Sequence, residues 1–136
     1  MAENYLATSL AKCGYVVASI DYRLGFKLLP SDVEMSAYRA IQDAHAALRY
    51  LAHNAKGLGI DPDQIYVGGT SAGAVASLNV AFMNNDERPA RIKEADKAGI
   101  VSKIEASGNK YTEKFTIKVV ANMWGAVADL NIIGKG

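Results

Sequence analysis

The chain has 136 residues, half of them apolar, which suffices for one domain with its own core and argues against disorder and against a second domain. Fifteen basic and fourteen acidic side chains leave a formal charge of +1, so there is neither a basic stripe for nucleic acid nor an acidic tail. No apolar run approaches the ~20 residues a membrane span needs, the N-terminus lacks the charged-then-apolar pattern of a secretory signal, and the compartment stays open.

Tyr5, Leu6, Ser9 and Leu10 recur at helical spacing within residues 3–12, and Gly14 follows as a C-cap. The single cysteine, Cys13, excludes an internal disulfide and reads as a buried, inert thiol in this apolar segment. Tyr15 to Tyr22, reading YVVASIDY, is a nearly continuous β-branched and aromatic run, as expected of a strand covered on both faces. Gly25 to Asp32, with Pro30, predicts a loop, and Ser31 or Asp32 could cap the next helix. Ala37, Ala40, Ile41, Ala44, Ala47, Leu48, Leu51 and Ala52 then form one apolar helical stripe. Gly57 and Gly59 stop it, Asp61-Pro62-Asp63 makes a turn, and Ile65-Tyr66-Val67 is a short buried strand leading into two glycines. A helix starting near Ser71 and running through Val75, Leu78 and Phe82 completes an alternation that predicts an α/β fold with parallel strands.

From Asp86 to Lys114, thirteen of twenty-nine residues are charged and the apolar periodicity fades, so residues 86–114 read as a polar surface excursion within a single domain spanning 1–136. Thr116 to Met123 restores a buried strand pattern.

The chemistry centres on Gly69-Thr70-Ser71-Ala72-Gly73. A G-x-S-x-G pentapeptide arises by chance in roughly one chain in twenty of this length, but here an apolar strand enters it and a small-residue helix leaves it. That setting makes Ser71 the candidate nucleophile of a strand-serine-helix elbow. A Cβ at position 69 or 73 is expected to collide with the turn. The Ala72 backbone N–H would face an oxyanion at the positive end of the following helix. The bland alternative is a glycine-rich turn in which Ser71 merely caps a helix. No metal is called for, because cysteine pairs and clustered histidines are absent from the sequence, and no cofactor is implied.

The run Gly14-Tyr15-Val16-Val17-Ala18-Ser19-Ile20-Asp21-Tyr22-Arg23-Leu24-Gly25 precedes Gln42-Asp43 and Ala47-Leu48-Arg49-Tyr50-Leu51. After it, Gly59-Ile60-Asp61-Pro62-Asp63-Gln64-Ile65 leads into the serine motif. Together these closely resemble carboxylesterases of the α/β-hydrolase superfamily, tightly over residues 5–83 and loosely over 116–128. Tyr-Arg-Leu-Gly and Ser-Ala-Gly-Ala lean toward the type-B carboxylesterases. Thr70 stands where the hormone-sensitive-lipase-like branch usually has an acidic residue, and that branch is the runner-up.

The resemblance implies a partial α/β-hydrolase fold, mainly a parallel sheet with flanking helices, and cleavage of a small-molecule carboxylic ester through an acyl-enzyme on Ser71. It also implies a histidine-glycine-glycine oxyanion loop before these residues and a catalytic acid and histidine after them, so the chain reads as the central portion of such an enzyme. By itself it is expected to show little turnover and marginal folding.

Within the chain, Asp129 is the candidate acid, although Trp124-Gly125-Ala126 resembles a segment that precedes the acid-bearing strand. His45 reads as a packed helix residue and His53 as a solvated one. Asp21 and Arg23 read as structural supports. A non-catalytic binding protein that keeps the elbow and the product of a truncated gene are the rival readings.

Overall fold

The computed structural model describes residues 2–25 and 30–127. Helix α1 (Ala2–Lys12) ends as expected at Gly14, whose φ of 92° is open to glycine and whose N–H donates to the Ala11 carbonyl at 3.0 Å. Cys13, expected to be buried, is exposed beside this turn, because α1 presents Tyr5, Leu6 and Leu10 to solvent instead of burying its apolar side.

Residues 15–22 differ from expectation in the same direction. They form no strand, and Tyr15, Val16, Val17 and Ile20 are exposed. A β-prone run becomes a strand only where a neighbour accepts its ladder bonds. Among the described residues it has none. The run is tethered to the fold by an edge-to-face contact of the Tyr15 and Tyr66 rings, 5.8 Å between centroids.

Helix α2 (Pro30–His53) carries the predicted stripe and begins inside the segment read as a loop, with Pro30 at a first-turn position that needs no N–H. A short helix, α3 (Ala55–Leu58), follows and stops at Gly59, with φ 69°. Asp61 shapes the next turn, its carboxylate accepting the Asp63 N–H at 2.9 Å. Strand β1 (Ile65–Thr70) then leads through Ser71 into α4 (Ala72–Phe82). Helix α5 (Ala90–Lys97) and a single 3₁₀ turn at Ile104–Ala106 connect to β2 (Ile117–Met123). β1 and β2 pair in parallel, Thr70 opposite Met123, with a register shift after Ile65. Among the described residues no helix is long and apolar enough to cross a membrane.

The core lies on the two sides of α2. One cluster joins Ala44 and Leu48 of α2 to Ile65 and Val80, with Phe115 and Ile117 packed against it. The other joins Tyr38 and Ile41 to Met83, Ile92 and Ile104. The charged 86–114 stretch therefore turns most of its charges outward while placing Ile92 and Ile104 at 0% exposure. Its attachment is also polar. Arg88 bonds the Asn85 carbonyl at 2.9 Å, pairs with Asp96 at 2.9 Å and donates to the Tyr38 hydroxyl at 3.2 Å. Tyr38 in turn donates to the Ser102 carbonyl at 2.8 Å, which also accepts Gln42 Nε2 at 2.8 Å.

Candidate functional site

The carboxyl ends of β1 and β2 place Ser71. Its N–H donates to the Met123 carbonyl at 3.0 Å, extending the ladder by one bond, and its own carbonyl accepts the Val75 N–H at 3.0 Å, opening α4. Between these two bonds the chain reverses from strand to helix within one residue, at φ 51° and ψ −118°. A non-glycine residue there is strained, and such strain concentrates where function holds it.

The strain decides what the hydroxyl does. A serine preceding a helix ordinarily turns its oxygen onto the N–H of the second or third helical residue. Ser71 makes no such bond and is exposed at the strand end. The helix-capping alternative is thus not the arrangement found. The Ala72 N–H, at the first helical position, has no acceptor within the helix, and the helix dipole adds positive potential at that end.

The glycines divide unequally. A Cβ on Gly69 would stand 2.5 Å from the Gly73 carbonyl carbon and 2.7 Å from its oxygen, so only glycine lets strand and helix approach this closely. Gly73 was expected to share the restriction, yet a Cβ there meets nothing within 4 Å, because it points away from the turn. The restriction reappears across the sheet end. A Cβ on Gly125 would lie 2.5 Å from the Ala74 Cβ, so the segment after β2 rests directly on the first turn of α4.

The other candidates lie elsewhere. Among the described residues no histidine or carboxylate hydrogen-bonds Ser71. His45 packs its ring at 5.9 Å from Phe115 with Nε2 buried and unpartnered, as its place beside the stripe implied. Burial, together with the Arg49 charge, holds its pKa down to about 4. His53 is tied more firmly than a solvated residue would be, stacked on Tyr111 at 4.0 Å and paired with Glu113 at 2.5 Å. That hydrogen bond holds the Glu113 carboxyl below its ordinary range. Arg23 has the supporting role expected of it: its backbone N–H reaches Asp43 at 2.8 Å and its Nε reaches the same carboxylate at 2.9 Å. Asp129 lies outside the described residues.

A parallel strand pair flanked by helices, with a strained serine between strand and helix, makes this a partial α/β fold. The family model BD-FAE matches residues 1–135, and the chain belongs to that family. It is 44% identical over 86 residues to AB hydrolase superfamily protein C1039.03 of Schizosaccharomyces pombe (strain 972), covering 58% of this chain and 23% of that protein. It is 30% identical over 103 residues to Lipase 2 of Moraxella sp. (strain TA144), covering 68% and 22%. It is 35% identical over 75 residues to Gut esterase 1 of Caenorhabditis elegans, covering 54% and 13%. The chain thus spans less than a quarter of the length of these curated relatives. No solved structure matches it significantly.

Proposed function

We propose that the chain carries the nucleophile of a serine carboxylesterase. The observation that carries this reading is the conformation of Ser71, which frees an exposed hydroxyl from helix capping at the carboxyl end of a parallel strand. The family supports it, as do relatives named lipase and esterase.

In this reading β1-Ser71-α4 is a nucleophile elbow. Ser71 Oγ attacks the carbonyl carbon of a carboxylic ester while a histidine takes its proton. The alcohol leaves, and water then releases the acid from the Ser71 acyl-enzyme. The Ala72 N–H donates to the oxyanion of each tetrahedral intermediate. The histidine and its supporting acid are assigned to residues outside the described ones, since His45 and His53 are engaged on α2.

Hydrolysis of 4-nitrophenyl acetate by the full-length gene product tests the reading. Ser71→Ala is expected to lower kcat/KM by at least about a thousandfold, as loss of a serine nucleophile does. Equal rates for the two proteins would remove Ser71 from the chemistry.

A further inference from the structure

The first turn of α4 is held from two directions by residues that have no side chain. From β1, a Cβ on Gly69 would come within 2.7 Å of the Gly73 carbonyl oxygen. From the segment after β2, a Cβ on Gly125 would stand 2.5 Å from the Ala74 Cβ and 2.6 Å from the Ala74 carbonyl carbon. Gly69 and Asn122 are partners across the strand pair, so the two supports leave the sheet side by side. Backbone contact on both sides leaves Gly73 and Ala74 no room to settle closer to either strand.

The second support is also fastened. After β2 the chain turns at Trp124, with φ 64°, and the Asn122 side chain spans the turn. Its Oδ1 accepts the Gly125 N–H at 2.7 Å and its Nδ2 donates to the Gly125 carbonyl at 3.2 Å. One side chain thus occupies both backbone polar groups of Gly125 and fixes that residue against the helix. On the helix side Ala74 is fully buried, at 0% exposure. The bond from the Ser71 N–H to the Met123 carbonyl, at 3.0 Å, ties the start of the same turn to the end of β2.

We infer that Asn122 and Gly125 are positioning residues for the oxyanion donor, backing the turn of α4 that aims the Ala72 N–H. The inference rests on Ser71 being the nucleophile, because that assignment gives the Ala72 N–H an oxyanion to meet. A donor of this kind works only when its place is set before charge develops. The Ala72 N–H has no acceptor within the helix to hold it, so its aim is the aim of the turn. A misplacement of about 1 Å can cost a hundredfold in rate. Neither residue touches substrate; both act through Ala74.

The test is hydrolysis of 4-nitrophenyl acetate by the full-length gene product carrying Gly125→Ala or Asn122→Leu, with urea midpoints measured alongside. Gly108→Ala is the matched control, since a Cβ there would stand equally close, 2.5 Å, to the Ala46 Cβ on α2. In Gly125→Ala kcat is expected to fall at least about tenfold, and in Asn122→Leu at least about threefold, with KM changed by less than about threefold. Gly108→Ala is expected to lose stability and keep its kcat. A trifluoromethyl ketone gives a second readout. Ser71 Oγ adds to its carbonyl carbon, the carbonyl electron pair becomes an oxyanion, and the hydroxyl proton passes to the histidine. Affinity for this transition-state mimic is expected to fall by the same factor as kcat.

Wild-type kcat and ketone affinity in both variants, or an equal loss of kcat in Gly108→Ala, overturns the inference. Where Gly125→Ala fails to fold, Asn122→Leu decides alone, because it adds nothing against Ala74. Ser71→Ala is assayed beside them. Full activity of Ser71→Ala removes the nucleophile, whereas an inactive Ser71→Ala with unaffected Gly125→Ala and Asn122→Leu removes only the positioning role.

Discussion

A Cβ added to Gly69 would meet the Gly73 carbonyl carbon at 2.5 Å, whereas one added to Gly73 would meet nothing. The two motif glycines are therefore physically unequal. Gly69→Ala forces β1 and α4 apart and is expected to destabilise the protein by about 3 kcal/mol, as overpacking against rigid backbone does. Gly73→Ala gains helix propensity and is expected to be neutral or stabilising by up to about 1 kcal/mol. Urea midpoints of the two variants check the contrast, and equal losses would contradict it.

Arg88 binds α5 and the segment before it to α2 through Asp96, Tyr38 and the Asn85 carbonyl. Arg88→Met leaves the Asp96 carboxylate without its cation. Breaking a buried pair on one side costs about 3–5 kcal/mol, and the lower end applies because Asp96 keeps some contact with water. A urea midpoint unchanged from wild type would show that the network does not hold this segment.

His45 gives stability a defined pH dependence. Its pKa falls from 6.5 to about 4 on folding, through burial first and the Arg49 charge second. Between those two values the unfolded chain binds a proton that the folded protein refuses, so stability declines as pH falls from about 6.5 to about 4. The shift corresponds to roughly 3 kcal/mol across the window. His45→Leu is expected to flatten this part of the profile in denaturant titrations. A slope that survives the substitution would place its origin elsewhere.

What the sequence disclosed was governed by how local each cause is. The β1-Ser71-α4 turn is encoded within nine residues by apolar β-formers, a glycine that permits close approach, and small helix formers, so it was legible as a unit. The α2 stripe was legible for the same reason, and with it the packed place of His45. Residues 15–22 carry equally strong strand propensity, yet a strand also requires a partner, and propensity says nothing about whether one is adjacent. The exposure of Cys13 follows from the same lack of a covering layer. Ile92 and Ile104 were hidden because each stands alone among charged neighbours, where no periodicity forms, although both are fully buried. The inequality of Gly69 and Gly73 depends on the direction of one Cβ vector. The positive φ of Trp124 and the bond from the Gly125 N–H to the Asn122 side chain beside it are announced by no pattern.

Covalent trapping tests the central claim most directly. An organophosphonate that reacts with activated serine hydroxyls is incubated with the full-length gene product, and the modified residue is located by peptide mass spectrometry. The adduct is expected on the peptide containing Ser71, with none on the Ser71→Ala protein. An adduct confined to another residue, or labelling that survives Ser71→Ala undiminished, would show that the strained serine between β1 and α4 is not the nucleophile.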